Sequence, residues 1–240
     1  MRPTHLQPFK HVTHVGKFLL ARLPRRWLLS LRSLRARRLI RQGEFDAGES
    51  EFDHLADWIR PGDWTLDIGA NIGTYSIRMS RLVGNEGRVI AFEPVLETFS
   101  ILASNLVYAG CKNVTAMNAA ASDRGGIASM RIPLFGSGLE NHYQATMAST
   151  KTNPNERTVK TLTLAIDDLH LDHRISLIKV DAEGHEQFVL AGMRAQIERD
   201  RPILILETVT SPIQEWLAGL GYTVQRFTHS PNRVFISERT

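Results

Sequence analysis

The chain has 240 residues, 42% hydrophobic and 22% charged, the make-up of one soluble α/β domain with or without an appendage. Its single cysteine, Cys111, excludes an internal disulfide and a cysteine-based zinc site, and makes a reducing, cytoplasmic compartment the default. The net charge of +4 conceals an asymmetry: residues 1–43 hold eleven Lys and Arg and no acid, leaving 18 basic and 25 acidic side chains after them, a balance of −7.

The chain therefore divides by charge into a basic amphipathic arm, residues 1–45, and an acidic body, residues 46–240. The stretch "KFLLARLPRRWLLSLRSLRARRLI" is interrupted by Arg too often to span a membrane and lacks the features of a cleaved secretory signal. An organelle transit peptide shares its Arg-rich, acid-free character, with no other feature in support. Two other readings stand. Residues 10–41 lie flat on an anionic, inner membrane surface, with Phe18, Leu19, Leu23, Trp27, Leu28 and Leu31 inward. Otherwise the segment is a helical arm that packs on the body or on a second subunit.

In the body, Phe52, Leu55, Ala56 and Ile59 recur at helical spacing until "RPGD" stops the run. "WTLDIG" predicts a buried strand, "TYSIRMSRLV" a helix, "RVIAFEP" a second strand, and "VLETFSILASNLVYAG" a helix opened after Pro94 and ended by Gly110. "NVTAMNAAA" predicts a third strand. "IASMRIP" and "RTVKTLTLAI" read as strands around a long loop, residues 134–156, whose length marks a lid or binding loop. His142 and Tyr143 in it are candidates for contacting an acceptor. A strand, an acidic turn and a helix follow in "SLIKVDAEGHEQFVLAGM". "RPILILE" is a further strand, "SPIQEWLAGLG" a helix, and "YTVQRF" with "RVFISER" a closing antiparallel hairpin. Alternating strands and helices mean a largely parallel sheet covered on both faces, with ligands bound beyond the carboxyl ends of its strands.

Three of those strand ends carry acids: Asp67, Glu93 and Asp181. The turn "LDIGANIG" lacks the second glycine of a dinucleotide loop, where Asn71 stands, and lacks the lysine of a Walker loop. Asp67 ahead of it would repel a phosphate. A cationic ligand fits better, with Asp67 on its ammonium and Gly69 and Gly73 letting the backbone come close. S-adenosylmethionine is such a ligand. Glu93, twenty residues after Gly73, suits the two hydroxyls of a ribose, and Asp123 after the third strand suits an adenine edge. "DAEGHE" collects Asp181, Glu183, His185 and Glu186 at one strand end, where uncompensated acidity argues for a cleft.

In order and spacing, "LDIGANIGTYS", "VIAFEP" and "IKVDAEGHEQFVLAGM" resemble the FkbM family of S-adenosylmethionine-dependent methyltransferases, over roughly residues 50–210. The resemblance implies a Rossmann-like class I fold with a mostly parallel seven-stranded sheet, and methyl transfer, commonly to a hydroxyl of a sugar, glycan, glycolipid or secondary metabolite. It also implies donor binding by Asp67, Gly69, Asn71, Gly73 and Glu93, with Ala70 in the same turn. Asp181, Glu183 and Gly184 would form the floor of the reaction cleft. His185 and Asp181 are the candidates for the base that a hydroxyl acceptor needs. Asp181, Glu183 and Glu207 offer hard oxygen atoms to a divalent metal, although their spacing does not establish one and no metal is expected. Base-amino and cytosine-C5 methylation are disfavoured, because the Asn-Pro-Pro-aromatic turn and a Pro-preceded nucleophilic Cys are lacking; "NPN" at 153–155 sits in a loop. The competing function is a binding module that recruits nucleic acid or membrane through the arm, with donor binding secondary.

Overall fold

The computed structural model describes residues 22–134, 140–141, 145–147, 156–228 and 230–237. Phe18, Leu19, His142, Tyr143 and residues 153–155 lie outside them.

Helix α1 (Arg25–Gln42) ends at Gly43 with φ 72°, a left-handed cap. The single helix expected over 49–60 is two short turns, α2 (Ser50–Asp53) and α3 (Leu55–Trp58), hinged at His54. Phe52, Leu55 and Ile59 are buried as the spacing requires, whereas Ala56 faces solvent. Strand β1 (Trp64–Ile68), helix α4 (Thr74–Val83), strand β2 (Arg88–Phe92), helix α5 (Leu96–Ala109) and strand β3 (Val114–Met117) follow where the pattern puts them.

The predicted third strand is in fact split. Ala120–Ala121 leaves the main sheet as β4 and joins a second one with β5 (Gly126–Pro133), β6 (Thr146–Met147) and β7 (Glu156–Leu164). A 3-10 turn (Asp167–Leu169) leads to β8 (Ile175–Val180), α6 (Glu186–Ala191), α7 (Arg194–Asp200), β9 (Ile203–Leu206), α8 (Ser211–Gly219) and the hairpin β10 (Tyr222–Arg226) and β11 (Arg233–Ser237). Helix α7 has no counterpart in the sequence reading.

The main sheet has the order β10-β11-β9-β8-β1-β2-β3, parallel except for β11, which runs against both its neighbours. Apolar runs such as "VIAF" and "ILIL" suit strands covered on both faces, and Phe92, Leu204 and Leu206 are fully buried. Strand order reverses between β1 and β8, so their carboxyl ends open a crevice there.

The charge break near residue 45 is not a break in packing. Ala36 of α1 packs with Ile72 and Ile101, and Ile40 with Ala70, Leu102 and Leu106. Arg37 donates to Ser104 Oγ at 2.6 Å and lies over the Tyr108 ring. The described part of the arm is thus layered on α5 and shares the core of the body. No helix among the described residues is long and apolar enough to cross a membrane.

Candidate active site

A cleft of about 600 Å³, its open mouth included, lies at the reversal point, between the ends of β1, β2 and β8 on one side and the second sheet on the other. From the long loop, Ala145 and Met147 reach its wall, Met147 through the pairing of β6 with β5.

The turn after β1 is held from two sides. The amides of Gly69 and Ala70 both donate to the Phe92 carbonyl, and the Asp181 amide donates to the Ile68 carbonyl. Gly69 has φ 78°, and a Cβ there would lie 1.9 Å from the Asp181 carbonyl oxygen. At Gly73, with φ 96°, a Cβ would meet Leu102 at 2.7 Å. These glycines admit neighbouring strands and helices, with a Cβ excluded by the Asp181 carbonyl at one and by Leu102 at the other. Ala70 is likewise buried in the core. Of that turn, Gly69 and Asn71 line the cleft.

Asn71 adopts the left-handed conformation at φ 51°. Its amide donates to Oε2 of Glu93 at 2.9 Å, and the Val95 amide donates to Oε1 at 2.9 Å. Glu93 is thereby fixed at the cleft wall. Burial pushes its carboxyl up to about 7, against the two amides and Arg32 of α1, with the charge of Asp181 adding to the rise. The side-chain oxygen of Asn71 is buried in the same wall without a hydrogen-bond partner.

Asp67 corrects the sequence reading. Strand alternation sends Leu66 and Ile68 to one face and Asp67 to the other, so the carboxylate is fully buried behind the crevice and does not line it. It accepts from Ser76 Oγ at 2.5 Å. Its register partner on β8 is Lys179, a buried lysine whose ammonium donates to Asp181 at 2.9 Å and lies over the Tyr75 ring. Burial raises the Asp67 carboxyl, and the Lys179 charge opposes it. For Lys179 burial works against the charge, yet Asp181, Asp67 and Glu49 hold it above the ordinary lysine value. Behind Tyr75, whose hydroxyl donates to Glu49 at 2.6 Å, Asn232 bonds to Glu51 and ties the C-terminal hairpin to the same network.

The acidic turn after β8 is shaped by Glu183 at φ 48° and Gly184 at φ 90°, and the Glu186 carboxylate accepts from the amides of Ala182 and Gly184 at 3.2 Å each. Glu186 and Gly184 therefore build the turn, while Asp181, Glu183 and His185 face the cleft. Burial alone would raise Asp181; the Lys179 ammonium and a hydrogen bond from Glu207 outweigh it and hold the carboxyl below its ordinary value. Burial and the Asp181 charge push Glu207 up to about 8, and burial with the charges of Asp181 and Glu186 pushes Glu183 up to about 7. One oxygen from each of Asp181, Glu183 and Glu207 comes within 4.8 Å of the others, the geometry of a hard-cation site or of shared protons.

Nε2 of His185 lies 2.9 Å from Ser122 Oγ, and that hydroxyl donates to Asp123 at 3.1 Å. With its proton given to Asp123, the hydroxyl receives the Nε2 proton, which leaves Nδ1 as the free base. Burial lowers the imidazole below its ordinary value, with Asp123 opposing, so the ring is neutral near pH 7. Asp123 itself is exposed and outside the cleft lining, contrary to its reading as an adenine partner. Its link to His185 runs through Ser122.

The sequence reading gave no role to Lys179 or Ser122. Lysine inside the apolar strand "SLIKV" was the available signal for the first: a buried cation demands acids nearby. Ser122 carried no signal, because its partner is 63 positions away.

A family profile described as the methyltransferase FkbM domain matches residues 67–228. Among solved structures, the chain is similar to a methyltransferase FkbM from Methylobacillus flagellatus KT, with 18% identity and a TM-score of 0.50 over 92% of this chain and 58% of that one. It is also similar to a SAM-dependent methyltransferase from Aquifex aeolicus, at 17% identity and TM-score 0.44 over 82% and 90% of the two chains. A third is Aeropyrum pernix fibrillarin in complex with S-adenosyl-L-methionine, at 14% identity and TM-score 0.44 over 74% and 67%. The chain thus spans 58% of the length of the first of these relatives. A search of curated proteins finds no match.

Proposed function

The chain belongs to the FkbM methyltransferase family, and we propose that it moves a methyl group from S-adenosylmethionine to a hydroxyl of a sugar, glycan, glycolipid or secondary metabolite. The observation that carries this reading is the pairing, across one cleft, of Glu93 with His185.

On the donor side, Glu93 has one lone pair on each oxygen committed to a backbone amide and keeps others for the two hydroxyls of a ribose. The unpartnered oxygen of Asn71 is a second acceptor in the same wall and supports the fit to a ligand rich in donors. Asp181, held ionised by Lys179, takes over the role first assigned to Asp67 as the carboxylate nearest a cationic ligand. Asp67 supports it from behind.

S-adenosylmethionine, when bound, supplies a methyl group made electrophilic by its sulfonium. The chain's own residues then align the acceptor and remove its proton. A sugar hydroxyl is a weak nucleophile near pH 7, and a positioned base contributes typically ~10²–10⁴-fold. His185 is neutral there and its free Nδ1 accepts the hydroxyl proton, while Asp123 and Ser122 hold the tautomer. Asp181 orients the hydroxyl. Lys179 already balances the charge of Asp181, and the proton of Glu207 serves the same oxygens, so the acidic trio is compensated within the protein.

Tritiated-methyl transfer from the donor to a hydroxyl-rich glycan and glycolipid mixture tests the reading. Label stable to mild base and lost in His185→Ala supports an ether product. Label only on amines or carboxylates would contradict it.

A further inference from the structure

Helix α1 buries one side and leaves the other bare. Ala36 and Ile40 face α5, whereas Trp27, Leu31 and Leu34 are exposed, Trp27 at 58% and Leu34 at 61%; Leu23, just ahead of the helix, is exposed as well. With Arg38 and Arg41, also exposed, Trp27, Leu31 and Leu34 recur at spacings of four, three, four and three, which is one helical face. The face is apolar in its first half and cationic in its second, with Arg26 exposed at its edge. Next to it, Arg37 lies over Tyr108, and the end of α5 presents Val107 at 82% exposure and Tyr108 at 45%. Residues 22–43 contain no acid.

We propose that this outer face of α1 docks the protein on a bilayer surface rich in anionic lipids. Bare leucine and tryptophan side chains gain by entering the boundary between headgroups and acyl chains, and arginine spans that boundary with its stem apolar and its head among phosphates. Two other occupants fit less well. A second copy meeting this face by two-fold symmetry would set Arg38 and Arg41 against the same arginines or against the apolar half of the stripe, and in neither case is there an acid in residues 22–43 to match them. RNA phosphates would engage the arginines but leave the apolar stripe in water. Because Ala36 on the inner side packs against Ile72 of the cleft turn, docking seats the cleft beside the bilayer, where lipid-borne acceptors are concentrated.

Flotation of the full chain with phosphatidylcholine vesicles, plain or containing about a third phosphatidylglycerol, tests this. Binding is expected to the anionic vesicles, to weaken with salt, and to drop about tenfold or more in Trp27→Ser/Leu31→Ser/Leu34→Ser and in Arg38→Gln/Arg41→Gln, with melting temperatures near wild type. Brominated lipids should quench tryptophan emission in the wild type and not in Trp27→Phe, a reading that does not depend on the triple variant folding. Four results would overturn the proposal: equal binding to neutral vesicles, undiminished binding of the stripe variants, binding lost only when residues 1–21 are deleted, or RNA binding or dimerisation abolished by the same substitutions without vesicle binding.

Discussion

The amide of Asn71 donates to the carboxylate of Glu93 across 22 positions of sequence, at 2.9 Å, and so joins the turn after β1 to the end of β2. Two strand ends become one wall. The ionised carboxylate accepts hydroxyl protons better than the acid does, and its value of about 7 places the change within the working range. Donor affinity measured by calorimetry should therefore weaken as the pH falls through about 7. Glu93→Gln should bind about 10–100-fold more weakly, the worth of a charged hydrogen bond, and lose most of that pH dependence.

Lys179 faces Asp67 and Asp181 from a buried position, so removing it strands two acids. Lys179→Met should cost about 3–5 kcal/mol in chemical denaturation. Adding Asp67→Asn to that variant should restore part of the loss, because one of the two stranded charges is then gone. Equal stability of the single variant and wild type would show that the pair is not charged.

The Asp123–Ser122–His185 chain makes Ser122 a positioning residue for the base. His185→Ala should lower kcat by ~10²–10⁴-fold with donor affinity near wild type. Ser122→Ala should lower kcat less and move the acid limb of the pH–rate profile. In the wild type that limb should lie below 6.5, since burial lowers the imidazole. A limb in Ser122→Ala unmoved from the wild type would leave the serine a packing residue.

Without ligand, the protein should lose stability as the pH rises. Glu93, Glu183 and Glu207 have folded values of about 7, 7 and 8 against 4.5 in the unfolded chain. Between 4.5 and 8 the folded state holds more protons, so unfolding free energy falls with pH across that window. Melting temperature should be higher near pH 5 than near pH 8, and Glu207→Gln should flatten the slope. Asp181, lowered, contributes the opposite slope at more acid pH, and His185, also lowered, opposes the three glutamates below 6.5.

The main sheet was legible because its strands are short apolar runs ended by acids and followed by amphipathic helices. β4 was not: past Asn118, Ala119, Ala120 and Ala121 resume the apolar character of β3, and only the pairing of Ala120 with Thr163 and of Ala121 with Leu164 shows the chain changing sheets. The cleft residues Asn71, Glu93, Asp181, Glu183 and His185 were legible from their place at strand ends. The burial of Asp67 was not, since the charge that compensates it lies 112 positions away on β8, a distance pattern alone does not bridge. Gly69 has a second requirement that the pattern does not show: its bareness admits the Asp181 carbonyl, which only the packing of β1 on β8 reveals. Of the readings of the basic arm, the helix packed on the body holds for its described part, and the pattern did not single it out because Arg-rich α1 hides its small buried side, Ala36 and Ile40, among the cations.

The most direct test of the account is calorimetric titration of the full chain with S-adenosylmethionine at pH 7.5 or above, in wild type and Glu93→Ala. The account predicts binding in the micromolar range that is lost or reduced by two orders of magnitude or so in the variant. No heat of binding at millimolar donor, or undiminished affinity in Glu93→Ala, would contradict it.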